Sequence, residues 1–321
     1  MRKLWIGASV GVMGAAAYGL LWRLPRVTAP PPQPAASPAE ALARLQKLQA
    51  QDGPEINPLC RTQLLAQAAP ARRVVMLYHG YTNCPHQYHQ LAARLHAAGD
   101  VVLMPRLPLH GATNRVPRDL HRLTAQRVVD FVQATVDIAA GLAPELAVLG
   151  FSFGGVLAAW AAQHRPEVQR AVLVSPAFDL QPVPNRRLYA ALLPRLPDQF
   201  VWWDPALKEE AAGPSHAYLG FSRRGVGHLL RLGLAVEQAA RRRAPAAGSI
   251  CLIVNPSDEL LDNRAALALA ARWKRHRAKV EVRRFAAEDQ LMHDLMDPLQ
   301  PLQQVDKVYP LVEQALATAG G

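Results

Sequence analysis

The sequence predicts an α/β protein: a mostly parallel central sheet with helices on both faces and an inserted cap. Three observations carry this. Short apolar runs alternate with helix-forming stretches over most of the chain. Short continuous apolar runs bounded by turn residues suit strands buried on both faces, which is the condition of a parallel sheet. A Gly150-Phe151-Ser152-Phe153-Gly154 turn joins one such run to an Ala-rich helix candidate. Between about residues 177 and 248 the alternation breaks, in a stretch rich in proline with Trp202-Trp203 and a single long helix candidate at 226–243.

In chain order, residues 39–51 have helix-forming composition with Leu42, Leu45 and Leu48 three apart. Residues 74–78 form the first strong strand and 87–98 a helix that Gly99 stops. A strand at 101–104 precedes an amphipathic helix at 124–140, ended by Gly141. Residues 146–149 are the strand entering the turn at Ser152, and 156–164 continue the helix that leaves it. Strands follow at 171–175, 250–255 and 280–285, with helices at 265–273 and 302–317. Repeated strand–helix units of this kind build a parallel sheet covered on both faces.

The chain has 321 residues, half of them hydrophobic, with a formal net charge of +11 carried mostly by arginine. With the N-terminal segment set aside, roughly 260 residues remain, enough for one large α/β domain. No basic stripe interleaved with aromatics appears, so nucleic acid is excluded as a partner. Arg241-Arg242-Arg243 closes a helix, where cations offset the helix dipole. After Met1-Arg2-Lys3, the 19 residues from Leu4 to Trp22 carry no charge. As a helix they would span about 28 Å, the thickness of a bilayer core. Trp5 and Trp22 sit at its two ends, where interfacial tryptophans belong. A cleavable signal peptide is the alternative, with Ala15-Ala16-Ala17 for cleavage, but the apolar run continues past those alanines and favours an uncleaved anchor. The expected organisation is an anchor or signal peptide at 1–24, a Pro/Ala-rich spacer and short helix at 25–58, and a catalytic domain at 59–321 with its cap. The body would then lie outside the cytoplasm, tethered to the cell membrane. The three cysteines are too few for a disulfide scaffold. Cys251 reads as a buried thiol, and Cys60 and Cys84, on either side of the first strong strand, are open between a disulfide and two free thiols.

The turn at residues 150–154 points to nucleophilic chemistry. A serine on a strand-to-helix turn this tight sits in strained backbone, and only very small residues fit two before and two after it. Serine attacks only when an imidazole removes its proton, an acid orients that imidazole, and donors meet the developing oxyanion. Among 11 histidines, His293 follows the last core strand on a loop and is the candidate base. Asp258 follows the 250–255 strand at the same sheet edge and is the candidate orienting acid; Asp179, Asp262 and Asp294 are weaker candidates. The backbone N–H groups of Phe153, at the start of the helix, and of Tyr81, after the 74–78 strand, are the candidate oxyanion donors. His79, Gly80, Trp202, Trp203 and Phe221 are candidates for contact with substrate. His86 and His89 lack a third ligand and read as surface residues, so no metal is expected.

His79-Gly80-Tyr81-Thr82, the Gly150 to Gly154 turn, Asp258 and His293, in that order, resemble the α/β-hydrolase superfamily, in its carboxylesterase, monoacylglycerol-lipase and serine-aminopeptidase-like branch. The resemblance covers residues 59–316. It implies a sheet of about eight strands, a cap and no cofactor. The chain departs from the pattern in lacking a clear hairpin before residue 74, and in the Leu291-Met292-His293-Asp294 context where peptidase members carry Gly-His. The expected activity is hydrolysis of an apolar carboxylic ester through an acyl-serine, with an amidase or peptidase on the same residues, or a non-catalytic binding protein, as alternatives.

Overall fold

The computed structural model describes residues 24–181 and 183–317. Apart from Leu24, the anchor expected at 1–24 lies outside the described residues, among which no helix is long and apolar enough to cross a membrane.

The strands are β1 (Gln63–Leu65), β2 (Arg73–Tyr78), β3 (Val101–Met104), β4 (Glu145–Phe151), β5 (Val168–Val174), β6 (Phe200–Trp202), β7 (Gly220–Ser222), β8 (Ser249–Val254) and β9 (Val280–Arg284). The helices are α1 (Pro38–Gln49), α2 (His89–Ala97), α3 (Ala125–Ala140), α4 (Phe153–His164), α5 (Arg186–Leu192), α6 (Arg223–Arg242), α7 (Asn263–Arg275) and α8 (Val305–Ala317). Seven strands form one sheet in the order β1-β3-β2-β4-β5-β8-β9, parallel except for β1, which runs antiparallel to β3. This is the α/β-hydrolase fold, with seven strands among the described residues in place of about eight; the missing hairpin before residue 74 agrees with the single short antiparallel β1 found there.

Side-chain alternation builds a core on each face of the sheet. Along β2, Val74, Met76 and Tyr78 join one apolar cluster, with α3, α4, α6 and α7. Val75 and Leu77 join the other, with α2 and α8. This is the period of two that a pleated strand imposes. Helix ends follow local chemistry. The Thr124 hydroxyl accepts from Arg127 N–H at 3.1 Å to start α3, and the Ser222 hydroxyl accepts from Gly225 N–H at 3.1 Å to start α6.

The helix expected at 87–98 begins later. Pro85–Tyr88 is a 3₁₀ turn, and the α-helix runs from His89. The Pro/Ala-rich segment is extended, but it lies on the body. Thr28 N–H donates to the Gln126 side chain, Gln33 N–H to Asp137 Oδ1 and Ala35 N–H to the Asp137 carbonyl, so over these residues it is a strap on α3 and not a free spacer. The cap consists of α5, the antiparallel pair β6–β7 and α6. It is stitched to the body by Tyr218 N–H to the Thr82 carbonyl at 2.8 Å and Leu219 N–H to the Arg115 carbonyl at 3.0 Å.

Cys60 and Cys84 form a disulfide that closes a loop of 24 residues of sequence separation, and Cys251 is a buried free thiol. Loop closure of that length restricts the unfolded chain by about 3 kcal/mol. Reduction, or the double substitution Cys60→Ser with Cys84→Ser, is expected to lower the unfolding free energy by about that amount. Urea unfolding with and without reductant reads it, and coincident curves would remove the assignment.

Candidate active site

The site begins at a backbone constraint. β4 ends at Phe151, and the next residue, Ser152, has a φ of 55° and ψ of −116° that lie outside the regions open to most residues. A conformation of this kind costs about 1–3 kcal/mol and persists only where its surroundings impose it. Here Ser152 N–H donates to the Val174 carbonyl at 3.0 Å, while the Ser152 carbonyl accepts from Gly155 N–H at 3.0 Å and Ala177 N–H at 2.9 Å. The flanking glycines are obligatory. A Cβ on Gly150 would stand 1.9 Å from the Gly154 carbonyl oxygen, and one on Gly154 would stand 1.8 Å from that of Tyr78.

Three distant side chains meet at this turn. His293 Nε2 lies 3.0 Å from Ser152 Oγ, and His293 Nδ1 lies 2.8 Å from Asp258 Oδ2. With Nδ1–H donating to the carboxylate, Nε2 is left to accept the serine proton. Asp258 is buried, and its other oxygen accepts from Leu260 N–H at 3.0 Å and Leu261 N–H at 3.1 Å. These bonds to the charged form offset its desolvation. The other aspartates weighed in sequence lie elsewhere: Asp179 is paired with Arg186 at 3.7 Å, and Asp262 caps α7.

The two candidate oxyanion donors belong to neighbouring residues in space. The Tyr81 and Phe153 rings meet edge to face, with centroids 5.7 Å apart. Phe153 opens α4, where free amides and the helix dipole favour negative charge.

Residues 69–297 match the serine aminopeptidase (S33) family. The chain belongs to that family. It is 27% identical over 164 residues, half of this chain, to a thermostable monoacylglycerol lipase of Bacillus sp. strain H-257, and covers 62% of that protein. It is 32% identical over 117 residues to phospholipase YtpA of Bacillus subtilis strain 168, covering 36% of this chain and 44% of that one. The chain therefore spans less than two thirds of either curated relative. Its structure superposes with a TM-score of 0.59 on one reported for LipS and LipT, two metagenome-derived lipolytic enzymes, at 21% identity over 82% of this chain and 98% of that one.

In this S33 family member Ser152 and His293 open onto a cavity of about 670 Å³ under the cap. Gly80, Tyr81, Trp203, Phe221, Val226 and Leu229 are among its lining residues. Two of the residues expected to contact substrate are not among them. Trp202 packs edge to face on Phe200, with centroids 5.2 Å apart. His79 is fully buried, with Nε2 accepting from Leu107 N–H at 3.1 Å and Nδ1 donating to the Gly80 carbonyl at 2.9 Å. It shapes the loop from behind. His86 and His89, expected on the surface, are half-buried and stack ring on ring at 4.4 Å.

Sequence reasoning missed a polar network behind the loop: Asn83, Gln87, His216 and Asp297, joined to Asp294. His216 and Asp297 are 81 residues apart, and no local pattern links them. The one available signal was the pair of aspartates, Asp294 and Asp297, just after the base.

Burial also sets the protonation of several histidines across the body and cap. It pushes His110 down to about 4 and His79 well below its ordinary value, and it lowers His86, His164 and His228 to about 4. Each stays neutral in the folded state while the unfolded chain takes up a proton below about pH 6.5. Their contribution is therefore complete above that pH and lost as the pH falls toward 4. Burial, then the charge of Asp297, raises Asp294 to about 6, and a raised carboxyl acts in the opposite sense over the same interval. The histidines outnumber it. The midpoint of thermal unfolding is expected to fall steadily between pH 6.5 and pH 4.5, and a midpoint that holds or rises there would contradict the neutral assignment.

Proposed function

We propose that this protein is a serine ester hydrolase working through an acyl-Ser152 intermediate. The observation that carries the reading is the continuous contact from Asp258 through His293 to Ser152, at 2.8 Å and 3.0 Å. His293 Nε2 takes the hydroxyl proton as Ser152 Oγ attacks the ester carbonyl. The Phe153 and Tyr81 amides receive the oxyanion. Collapse breaks the bond to the alcohol oxygen, which leaves with the proton from His293. Water then attacks the acyl-serine with His293 again as base, releasing the acid and restoring Ser152. Asp258 keeps the imidazole in the tautomer that can accept, and stabilises the imidazolium while it lasts.

The substrate is an ester with an apolar acyl or alcohol part. Trp203, Phe221, Val226, Leu229, Leu260 and Met292 lining the cavity support this, as does the likeness to a monoacylglycerol lipase and a phospholipase. The domain starts near residue 59 and carries its cap at about 177–248. Residues 1–24 tether it to the membrane on the extracytoplasmic side. The uncharged run from Leu4 to Trp22 and a disulfide of the kind that persists in oxidising compartments support that placement.

Ser152→Ala is expected to reduce kcat on short p-nitrophenyl esters by about 10⁴-fold or more, and to abolish labelling by a fluorophosphonate probe. Hydrolysis that survives the substitution would end the proposal, and faster turnover of peptides than of esters in a substrate panel would move the activity to amides. Fractionation of cells is expected to leave the full chain with the membranes and a chain lacking residues 1–24 in the soluble fraction; an even distribution of both would end the tether.

A further inference from the structure

Behind the loop that carries Tyr81, one side chain joins both halves of the site. Gln87 is 1% exposed, in the 3₁₀ turn before α2. Its Oε1 accepts from Gly80 N–H at 2.9 Å, and its Nε2 donates to Asp294 Oδ1 at 2.8 Å. Asp294 follows His293 directly in the chain. Its second oxygen accepts from Gln300 Nε2 at 2.6 Å and from Asn83 Nδ2 at 3.2 Å. The same Asn83 nitrogen lies 3.1 Å from Asp297 Oδ2, which takes His216 Nε2 at 2.8 Å.

We propose that Gln87 is a positioning residue for the hydrolysis: by bridging the base loop and the Gly80 N–H it aims the Tyr81 amide at the oxyanion beside Ser152. The inference rests on the serine ester hydrolase reading. Packing does not fix Gly80, since a Cβ there would meet its nearest neighbours only at ordinary contact distances of 3.6 Å and beyond. Its orientation depends on hydrogen bonds. On either side, the His79 ring holds the Gly80 carbonyl, and His110 Nε2 lies 2.8 Å from the Tyr81 carbonyl. Asn83 N–H also donates to the Gly80 carbonyl at 3.3 Å, and Gln87 supplies the hold on the N–H. An oxyanion donor contributes through being aimed before the charge develops, so a small rotation of this loop costs rate and not substrate affinity.

The residue type is specified by its neighbours. Toward Gly80 an acceptor is required, and toward the Asp294 carboxylate a donor. Glutamine offers both at once. Gln87→Glu keeps the acceptor, but it can donate to Asp294 only when the two carboxyls share a proton. The groups bearing on that proton are Asp297, His293, Tyr88 and Tyr309, with His216 one bond further on. The elevation of Asp294 to about 6 places the sharing within a usable range.

The experiment measures kcat and KM on p-nitrophenyl butyrate for the full chain, Gln87→Leu, Gln87→Glu and Ser152→Ala from pH 5.5 to 8, with active sites counted by fluorophosphonate. Gln87→Leu is expected to lower kcat per active site by roughly 10- to 100-fold with KM within about threefold of wild type. The kcat of Gln87→Glu, as a ratio to wild type at each pH, is expected to fall at least about tenfold as the pH rises from 5.5 to 8. A Gln87→Leu kcat within twofold of wild type, or a Gln87→Glu ratio flat with pH, would overturn the proposal. Should Gln87→Leu fail to fold, the Gln87→Glu series decides alone. Loss of the hydrolase reading shows separately, as Ser152→Ala retaining wild-type turnover.

Discussion

The near-contact of the Gly154 backbone with the carbonyl of Tyr78 is the constraint on which the rest of the site depends. No side chain other than hydrogen fits there, because the first carbon would lie 1.8 Å from the oxygen. That approach brings the end of β2 against the first turn of α4. It also forces Ser152, between β4 and α4, into a positive φ that three backbone hydrogen bonds then hold. Both halves of the site leave from this one junction. Ser152 sits at the top of β4, and the loop bearing Tyr81 departs from the top of β2, with Tyr81 three residues beyond Tyr78. The two strands are paired in register from Arg73–Glu145 to Tyr78–Gly150, so their ends cannot shift independently.

Electrostatic order follows from burial around that junction. Asp258 is kept from water and would be costly there alone, but two backbone N–H groups and the imidazole of His293 answer it. Asp294 and Asp297 form a second acidic pair close by, answered mainly by carboxamides and by the imidazole of His216. The two groups of carboxylates adjoin through the loop at residues 293–297, yet they do different work. The first contacts the His293 ring itself. The second ties the loop carrying His293 to the loop carrying Tyr81. Polar networks of this kind hold a geometry where their members are paired, as Gln87 and Asn83 are to both loops, while His216 Nδ1 is buried with no hydrogen-bond partner among the described residues.

The sheet and the reacting side chains were legible because strand ends carry them. Each apolar run marked a strand, and Ser152, Asp258 and His293 lie just beyond three of those runs. β1 and β6 escaped because three half-exposed residues show no period, and β7, the tripeptide Gly220-Phe221-Ser222, is too short and too small in side chain to show one. Trp202 and Trp203 looked equivalent in sequence. Neighbouring residues at the end of an extended strand face opposite ways, however, so only Trp203, tilted against Phe221 with centroids 4.8 Å apart, turns to the cavity. His79 misled for a similar reason: its backbone belongs to the oxyanion loop, but its ring turns inward to Leu107. Gln87, Asn83 and His216 had no local signal, since their partners are supplied by tertiary structure alone. The disulfide stood open for the same reason, two cysteines being a pair only once the fold sets them 5.2 Å apart between Cα atoms.

The attachment of the cap bears on the alignment of the site. Between Tyr218 and Thr82 and between Leu219 and Arg115, cap and body share backbone hydrogen bonds, and the Arg115 guanidinium adds a bond to the Ala217 carbonyl at 2.9 Å. The Cys60–Cys84 bridge lies beside the start of this seam, with Cys84 two residues after Thr82. To lift the cap along this side would pull on Thr82, next to the Tyr81 amide, and so disturb the oxyanion donors at the moment of binding. Trp203, whose N–H donates to the Leu219 carbonyl at 3.0 Å beside this seam, and Leu260 remain 46% and 38% exposed, large apolar groups lining the cavity. The same seam therefore holds both the loop that carries Tyr81 and the end of β6 where Trp203 stands.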